Sequence, residues 1–464
     1  MAELHEACGV FGICAPGVDV ARITFFGLYA LQHRGQESAG ITTGDGKELR
    51  TFKAMGLVVQ VFTEEELSFL KGHVAIGHTR YSTTGASKVC NAQPIMADSD
   101  LGQLALGHNG NLVNTVALAE QLIESGERLE TSTDSEVIAK AIASAPGMDW
   151  ESRILHSLPR FQGAYSLVMA TANTLFAARD PLGVRPLCIG KLNGGWVVAS
   201  ETCALDTVGA EFIREIDPGE VIAINADGLR SIHAVDSRQR ALCVFEFIYF
   251  ARPDSTIDGQ LVYQARQEMG RHLAREYPVD ADLVIPVPDS AIPAATGYAQ
   301  EAGIPFGEGL IKNRYIGRTF IQPDQRLRQV GVRLKFNPLP EMLKGKRVVV
   351  VDDSIVRGTT TPPVVNLLRK AGAREVHMRV CAPPMRYPCY LGVDTARHSE
   401  LIAARMSVEE IRRHIGADSL GYLSLEGLLA SVGQQQSHYC RACFTGAYPV
   451  PIQLEMDKLV LEVS

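Results

Sequence analysis

The sequence lacks the features that mark exported, membrane-spanning and nucleic-acid-binding proteins. No stretch of its 464 residues approaches the roughly 18 consecutive apolar residues of a membrane span. The first seven residues, MAELHEA, carry acids and no apolar centre, so they do not resemble a secretory signal. The formal net charge of -7 argues against nucleic acid as a main partner. We therefore expect neither a membrane nor a nucleic acid among the partners.

Cysteine is also sparse. Ten cysteines in a chain of this length are too few for a disulfide scaffold. With no export signal, we expect a reducing compartment and a cytoplasmic protein, in which clustered cysteines bind metal or do chemistry. The chain is too long for one core, and its ordinary apolar fraction of 46% predicts two globular domains.

The first half of the chain, up to about residue 230, is rich in short apolar runs and glycines. These runs predict sheet strands joined by tight turns. Helices are predicted near residues 20–33, 115–125 and 134–145. The result is a mixed α+β domain over residues 8–230 with antiparallel sheets.

Cys8 is the first candidate for chemistry in this half. If residues 1–7 are a propeptide that is removed, Cys8 carries both a thiol and a free α-amine. That amine, with a reference pKa of about 7.7–8.0, can take a proton from the side chain of its own residue. The alternative, more common for a lone cysteine, is a core residue.

Three later motifs add to Cys8. HNGN offers the Asn109 side chain and the Gly110 backbone N–H, the donors of an oxyanion hole. TRYST offers Arg80, whose planar guanidinium matches a carboxylate. TSTDSE places Asp134 at a predicted helix start, where it can cap the helix or bind an amino group.

These motifs occur in an order that resembles the glutaminase domain of class II glutamine amidotransferases: CGVFGI, QHRGQESAGI, GHTRYSTTG, NAQP, GHNGNL, TDSEV and RDPLGVRPL. The resemblance implies an N-terminal-nucleophile hydrolase fold, an αββα sandwich. It implies Cys8 as the nucleophile, Arg80 and Asp134 as ligands of glutamine, and Asn109 and Gly110 as the oxyanion hole. Arg34, in QHRGQE, matches a motif arginine near the site; a buried pair with an acid such as Glu37 is the alternative.

Residues 225–242 are polar, carry mixed charge and predict a hinge, after which residues 231–464 form the second domain. Strands predicted at 282–287, 347–351 and 375–381 alternate with helices near 260–276, 290–302 and 362–371. This alternation predicts an α/β domain, a parallel sheet flanked by helices. Ligands of such sheets bind at the carboxyl ends of the strands.

The stretch RVVVVDDSIVRGTTT, residues 347–361, lies at such an end. Four valines predict a strand buried on both faces, followed by a loop into a helix. The loop is rich in hydroxyls and backbone amides, which suit a phosphate, and its two acids suit ribose hydroxyls or magnesium. An ordinary strand–loop–helix corner is the alternative. The candidate residues are Asp352, Asp353, Ser354, Arg357, Gly358, Thr359, Thr360 and Thr361.

Two further segments support this corner. The loop Pro288–Ala291, with Asp289 and Ser290, follows a strand and is a second candidate anion site. Residues 312–336 are strongly basic and include Lys312, Arg314 and Arg318. Such a run is often a solvated face, but its aromatics and glycines favour a lid over an anionic substrate.

The loop DDSIVRGTT resembles the signature of type I phosphoribosyltransferases, and residues 8–455 as a whole resemble the amidophosphoribosyltransferase family. The resemblance implies that glutamine supplies ammonia, which displaces pyrophosphate from 5-phosphoribosyl-1-pyrophosphate in the committed step of purine synthesis. It implies that Arg357–Thr361 hold the 5-phosphate and that Lys312, Arg314 and Arg318 belong to the lid. It also implies one Mg²⁺ per subunit near Asp352, Asp353 and Ser290, purine nucleotide inhibitors, and a homo-oligomer, a tetramer.

Two alternatives belong to other classes: a regulatory protein that binds phosphoribosyl pyrophosphate without transferring it, and a glutaminase with a different acceptor domain. The joined glutaminase weighs against the first, and the DDSIVRGTT loop weighs against the second. One departure from the family pattern is Pro362–Pro363 at the start of the helix, since proline removes N–H donors that could bind phosphate.

Near the C-terminus, Cys440 and Cys443 form a CxxC motif, which needs two more thiolates to close a tetrahedral site. Cys243, Cys381 and Cys389 are candidates, and by residue type zinc is as plausible as iron–sulfur. The family resemblance favours Cys243 and Cys389 and one [4Fe–4S] cluster per subunit. The remaining cysteines are expected to be small core residues: Cys14, Cys90, Cys188, Cys203 and, with the cluster assigned, Cys381.

Overall fold

The structure is a computed structural model that describes residues 8–81, 85–237, 239–313, 335–395, 397–433 and 436–452. Within this part of the chain, the first domain is built from two stacked antiparallel sheets. Its strands are β1 Gly9–Cys14, β2 Ser38–Gly44, β3 Leu49–Met55, β4 Val74–Arg80, β5 Ile95–Ser99, β6 Gly102–Leu112, β7 Gly163–Ala170, β8 Leu175–Arg179, β9 Cys188–Leu192, β10 Gly195–Ala199, β11 Glu211–Glu215, β12 Glu220–Asn225 and β13 Gly228–His233.

The helices of this domain cover the outer faces of the two sheets. They are α1 Val20–Ala30, α2 Val58–Val61, α3 Glu64–Phe69, α4 Thr115–Glu124, α5 Asp134–Ala143, α6 Trp150–Ser157 and α7 Thr202–Val208. The sheet with strand order β11-β9-β10-β1-β4-β2-β3 packs its outer face on α1, α2, α3 and α7. The sheet β13-β12-β8-β7-β6-β5 packs its outer face on α4, α5 and α6. Alternate side chains of both sheets fill the layer between them. The predicted αββα sandwich is confirmed.

Strand β13 pairs with β12 along its whole length, from Gly228 to Asn225 at the turn and His233 to Glu220 at the other end. The first part of the predicted hinge, residues 225–242, is therefore a hairpin of the first domain. The polar residues of β13 are largely exposed because it is the outermost strand of its sheet. This position explains why its composition resembled a linker.

The second domain is built around a parallel sheet. Its strands are β14 Leu242–Cys243, β15 Thr256–Ile257, β16 Gln260–Leu261, β17 Leu283–Pro286, β18 Leu310–Lys312, β19 Phe336–Pro338, β20 Arg347–Asp352, β21 Glu375–Val380, β22 Ser419–Tyr422 and β23 Tyr439–Cys440. Its helices are α8 Val262–Glu276, α9 Ile292–Ala302, α10 Pro340–Leu343, α11 Thr361–Lys370, α12 Ile402–Arg405, α13 Val408–Ile415, α14 Leu425–Ser431 and α15 Ala442–Thr445, with a π-helical turn at Glu246–Phe250.

Strands β17, β20, β21 and β22 lie side by side in that order, and all pairs are parallel. The valines of β20 explain why the sheet needs helices on both sides. Val349 and Val351 pack into the cluster with α8 and α9, while Val348 and Val350 pack into the opposite cluster with α11 and α13. All four are fully buried, as predicted for a central parallel strand.

A buried group of charges joins the two domains. Arg34, which is 0% exposed, pairs with Glu201 of the first domain and with Glu246 of the second, whose two carboxylate oxygens accept at 2.8 and 2.9 Å. The alternative of a buried ion pair for Arg34 is therefore observed, with Glu201 and Glu246 as its partners in place of Glu37. Both acids are distant in sequence from Arg34, so only the tertiary structure could identify them.

The structure corrects one cysteine assignment. Cys90, predicted to be a core residue, is exposed on a 3₁₀ turn at Val89–Asn91. Cys14, Cys188, Cys203 and Cys381 are buried, as predicted. In the described ranges, no helix is both long and apolar enough to cross a bilayer.

Candidate active site

A small pocket in the first domain gathers four of the five residues predicted for glutamine chemistry, and Asn109 is the one that does not line it. Its lining is Cys8, Arg80, Tyr81, Gln93, His108, Gly110, Thr133, Asp134 and Ser135. Most of these residues lie at the start of β1, the end of β4, the end of β6 and the start of α5, and Gln93 lies just before β5. The pairing of Gly9 with Thr79 brings the beginning of β1 to the end of β4, so Cys8 lies beside Arg80.

Cys8 is buried, and its thiol donates to the carbonyl oxygen of Tyr81 at 3.3 Å. Burial raises the pKa of the thiol above its ordinary value, and the nearby Arg80 guanidinium only partly offsets this. A protonated thiol is a weak nucleophile, so chemistry at Cys8 requires a base. The backbone carbonyl of Cys8 accepts a hydrogen bond from Arg34 Nε at 3.3 Å.

Asp134 lies in the first turn of α5, and Thr133 rather than Asp134 is the N-cap. The Asp134 carboxylate accepts from the backbone N–H of Leu112 at 3.1 Å and lies 3.6 Å from His108 Nδ1. Burial opposes ionisation of Asp134, but His108 and these hydrogen bonds outweigh it and hold the pKa below its usual range. The pocket therefore presents a fixed negative charge opposite the cationic Arg80, a combination that suits the two ends of an amino acid.

Asn109 is 1% exposed, and neither atom of its carboxamide has a hydrogen-bond partner among the described residues. Its side chain faces the layer between the sheets, because Ala105 on the same face of β6 packs there. A buried amide without partners costs free energy, so its presence calls for an explanation, such as a substrate that completes its bonding. Gly110 lines the pocket itself, and a Cβ there would lie 2.1 Å from the carbonyl oxygen of Ala164.

Sequence reasoning did not assign three residues that hold this site together. Gln93 accepts from the backbone N–H of His108 at 2.7 Å and donates to Ser135 at 3.0 Å. His78 donates to the carbonyl of His108 at 3.0 Å, and burial lowers its pKa to about 3, so it is neutral. Gln93, His78 and His108 all lie within motifs already quoted, NAQP, GHTRYSTTG and GHNGNL, so their motif membership was the available signal.

A second site lies at the carboxyl end of the parallel sheet. The two predicted loops meet there, because the Ser290 hydroxyl donates to the Asp353 carboxylate. Ser354 donates to the other oxygen of Asp353 at 2.7 Å, and Asp352 accepts from the Asp353 backbone N–H at 3.0 Å. Lys312 reaches the same area, since its ammonium lies 2.7 Å from the Asp289 carboxylate.

The rest of the predicted phosphate loop leads into α11, which begins at Thr361. The side chain of Thr360, the N-cap residue, makes no capping hydrogen bond. Gly358 has a φ of 66°, and a Cβ there would lie 2.3 Å from Ile402, so the turn requires glycine. Arg357 pairs with Glu400 at 2.8 Å.

Pro362 and Pro363 lie in the first turn of α11, where an N–H has no helical partner. They are compatible with the helix start but leave fewer backbone donors for an anion. Among the other predicted site residues, Arg314, like the lid residue Arg318, lies outside the described residues, as do residues 1–7.

The four cysteines predicted as cluster ligands come together at the domain boundary. Cys243 and Cys440 are paired on the parallel strands β14 and β23. Cys389 and Cys443 pack against the same core cluster, of which Cys243 is a member. Burial is the main cause that raises the pKa of Cys243 to about 12 and of Cys440 to about 11, and the neighbouring Cys389 thiol adds to both increases. Among the described residues, no three His, Cys, Asp or Glu side chains are arranged to hold a single metal ion.

Comparison with known proteins agrees with this two-site architecture. Residues 78–207 match the family model of the glutamine amidotransferase domain, and residues 258–390 match that of the phosphoribosyl transferase domain. The amidophosphoribosyltransferase of Synechocystis sp. is 55% identical over 466 residues, covering 99% of this chain and 94% of that protein. That of Bacillus subtilis is 50% identical over 454 residues, covering 97% of this chain and 95% of that protein.

A solved structure described as glutamine phosphoribosylpyrophosphate amidotransferase from B. subtilis, complexed with ADP and GMP, superimposes with a TM-score of 0.92. It is 49% identical in sequence and covers 97% of this chain and 99% of that one. The fold and the two sites thus define a glutamine-dependent transferase with a phosphoribosyl acceptor domain. The chain belongs to the amidophosphoribosyltransferase family. Its activity is glutamine-dependent amidotransfer to phosphoribosyl pyrophosphate, within purine biosynthesis.

Proposed function

We propose that the Cys8 pocket releases ammonia from glutamine and that the Asp352–Thr361 corner holds the phosphoribosyl acceptor. The observation that carries this assignment is the pocket in which Cys8, Arg80, Asp134 and Gly110 converge. The domain limits that accompany it are a propeptide at 1–7, a glutaminase domain at 8–230, with its last strand running to His233, and a transferase domain to residue 464.

In the first half-reaction, Arg80 binds the glutamine α-carboxylate and Asp134 binds the α-ammonium. The Cys8 sulfur attacks the side-chain amide carbon, and the thiol proton passes to the α-amine that removal of residues 1–7 exposes. This base is needed because burial raises the thiol pKa. The oxygen of the tetrahedral intermediate accepts from Asn109 Nδ2 and the Gly110 N–H.

Collapse of that intermediate breaks the carbon–nitrogen bond, and the α-amine returns its proton to the leaving ammonia. The product on the enzyme is a thioester between Cys8 and the glutamyl group. Water then attacks the thioester, giving glutamate and the free thiol, which restores the starting state. The ammonia passes inside the protein to the second site.

In the second half-reaction, backbone N–H groups and hydroxyls of Arg357–Thr361 hold the 5-phosphate at the start of α11. Asp352 and Asp353 face the ribose hydroxyls, and Lys312 neutralises the pyrophosphate. Ammonia attacks C1 of the ribose as the bond to pyrophosphate breaks, and loss of a proton gives 5-phosphoribosylamine. Excluding water matters here, since water would compete with ammonia at C1.

The acids and hydroxyl of this corner fit one Mg²⁺ per subunit. Ser290 and Asp353 are already joined by a hydrogen bond, so oxygen ligands from both loops lie together, as Mg²⁺ prefers. The ion would neutralise charge on the leaving pyrophosphate. Asp352, Asp353 and Ser290 would hold it, directly or through water.

The four cysteines Cys243, Cys389, Cys440 and Cys443 fit one [4Fe–4S] cluster per subunit. A four-iron cluster uses one thiolate per iron, so its thiolates stand further apart than the ligands of a single ion. The pairing of Cys243 with Cys440 on parallel strands, and the packing of Cys389 and Cys443 against the same core cluster, support this choice. The cluster would tie β14, β23 and the segment at Cys389 together and would take no part in amide chemistry.

Three wider properties complete the proposal. Purine nucleotides inhibit the enzyme, since the B. subtilis relative is described in complex with ADP and GMP. The subunits assemble as a homotetramer, for which the exposed aromatic side chains Phe26 and Tyr29 of α1 offer an apolar contact surface. The protein works in the cytoplasm.

The substitution Cys8→Ala tests the two-site scheme. We expect it to abolish glutamine-dependent formation of phosphoribosylamine and to leave activity with added ammonium chloride within about twofold. Full glutamine-dependent activity in Cys8→Ala would refute the nucleophile assignment. Loss of the ammonia-dependent activity as well would refute the separation of the two sites.

The cluster is tested by an absorbance spectrum and by iron and zinc analysis of anaerobically purified protein. We expect about four irons per chain and a broad visible absorbance. Zinc without iron would overturn the cluster assignment and leave the amidotransferase assignment in place.

A further inference from the structure

The segment Cys389–Gly392 of the second domain lies directly against strand β6 of the glutaminase site. The carbonyl of Tyr390 accepts a hydrogen bond from Asn111 Nδ2 at 3.0 Å. A Cβ added at Gly392 would lie 2.9 Å from the carbonyl carbon of Gly110 and 3.1 Å from its oxygen. The two backbones therefore touch at the residue proposed for the oxyanion hole, and glycine at 392 is what permits the contact.

The same segment is connected to the nucleophile by two buried arginines. Arg185 Nη2 donates to the carbonyl of Leu391 at 3.0 Å, and its Nη1 lies 3.1 Å from Glu246. Glu246 in turn accepts from Arg34, and Arg34 donates to the carbonyl of Cys8. Neither arginine side chain is exposed, so this chain of charged hydrogen bonds is not loosened by solvent.

We propose that Cys389–Gly392 is a positioning segment for the glutaminase centre, supplied by the phosphoribosyltransferase domain. It holds the Gly110 backbone through Gly392 and Asn111, and it holds Cys8 through Arg185, Glu246 and Arg34. The connecting residues themselves need not touch glutamine: Gly392, Asn111, Arg185, Glu246 and Arg34. The inference rests on the proposed roles of Cys8 and Gly110, and it adds that the glutaminase centre is incomplete without the second domain.

The direct test is Gly392→Ala. An ordinary carbon–carbon contact is about 3.5 Å or more, so the added methyl must move the Gly110 peptide by about half an ångström. Displacements approaching 1 Å cost about 100-fold in rate, so we expect kcat for glutamine hydrolysis to fall about tenfold. The KM for glutamine and the ammonia-dependent activity should stay within about twofold.

Gly126→Ala is the matched control. Gly126 has nearly the same positive φ, 95° against 98° at Gly392, but a Cβ there meets nothing within 4 Å. It therefore reports backbone strain without the contact on Gly110, and we expect no selective loss of glutaminase. Equal glutaminase kcat in the two variants would overturn the inference, as would parallel loss of ammonia-dependent activity in Gly392→Ala.

A second readout separates positioning from general loss of structure. An aldehyde analogue of glutamine forms a tetrahedral adduct with Cys8 whose oxygen occupies the oxyanion hole. Its affinity should weaken about tenfold in Gly392→Ala, in parallel with kcat, while glutamate affinity stays unchanged. An unchanged affinity for the aldehyde would count against the proposal.

If Gly392→Ala does not fold, Asn111→Ala decides, because it removes the bond to the Tyr390 carbonyl without overpacking. We expect a two- to fivefold loss of glutaminase kcat with ammonia-dependent activity retained, and no loss would refute the inference. Failure of the proposed function is distinguishable, since it would appear as full glutamine-dependent activity in Cys8→Ala.

Discussion

Replacing Asn109 by alanine should lower glutaminase activity without lowering stability. Removal of one side-chain donor from an oxyanion hole costs about 100- to 1000-fold in kcat. We therefore expect that loss in glutamine hydrolysis, with ammonia-dependent transfer retained. Stability is the more discriminating measurement, because replacing a buried asparagine that makes structural hydrogen bonds would lower the free energy of unfolding.

The magnitude follows from the carboxamide of Asn109, which is buried with neither atom partnered in the described part of the chain. An unsatisfied buried polar group costs about 1–3 kcal/mol, which alanine removes. The void left behind, about 30 Å³, costs about 0.7 kcal/mol at roughly 24 cal/mol per Å³. The free energy of unfolding should therefore stay constant or rise by about 0.5–2 kcal/mol.

Asn91→Ala is the matched control for stability. Asn91 is equally buried, but its amide donates to Ala86 and Ser132, and its oxygen accepts from the Ser132 N–H at 3.2 Å. Loss of three hydrogen bonds at about 1 kcal/mol each should destabilise the protein by about 3 kcal/mol.

The assay is thermal unfolding of wild type, Asn109→Ala and Asn91→Ala, together with glutaminase and ammonia-dependent rates of the Asn109 variant. With an unfolding entropy of about 2.1 cal/mol/K per residue, the 464 residues give about 1 kcal/mol/K if they unfold together. The control should then melt about 3 °C lower and Asn109→Ala at or slightly above wild type. A drop for Asn109→Ala equal to that of the control would refute the argument that this side chain is kept for catalysis.

Three other predictions follow from the charges. Arg34→Met should lower the free energy of unfolding by about 3–5 kcal/mol, because it removes the arginine that pairs with two buried carboxylates. Arg22→Met is the control at an exposed ion pair and should change the melting temperature little. Equal shifts of the melting temperature in the two variants would contradict this. Burial raises the folded pKa of Asp180 from 3.8 to about 6, so the folded state binds the proton more tightly and stability falls as pH rises through that window. Melting curves should show the stability of Asp180→Asn rising relative to wild type by about 2.4 kcal/mol from pH 4 to 7, and a pH-independent difference would exclude the shift. Asp353→Asn should reduce ammonia-dependent transfer at least tenfold while glutamine hydrolysis persists, and retention of transfer would remove Asp353 from the acceptor site.

Much of the fold was readable from local patterns. The four valines of β20 predicted a strand buried on both faces, and its neighbours on either side bear this out. The predicted helices near 134–145 and 362–371 are observed at Asp134–Ala143 and Thr361–Lys370. Strand β13 was misread as hinge because an edge strand exposed on one face has the composition of a linker. Cys90 was misread because a single cysteine carries no periodicity from which its burial can be judged.

Some residues of the candidate site could likewise be predicted from the sequence, and others could not. Residue type made Cys8, Arg80 and Asp134 candidates, and the family resemblance supplied the roles predicted for them. The residues that hold these side chains in place could not be identified from the sequence. Arg34 pairs with acids 167 and 212 residues away, and no local pattern selects those partners over Glu37.

The sequence by itself determined the two domain folds and the strand that ends in Asp352 and Asp353, because hydrophobic periodicity is encoded locally, and its motifs supplied the residues proposed for the two half-reactions. Only the tertiary structure decided that Gly392 touches Gly110 and that Arg185, Glu246 and Arg34 join the second domain to Cys8. Those contacts connect segments far apart in the chain, and they exist only once the sheets and helices of both domains have packed against each other.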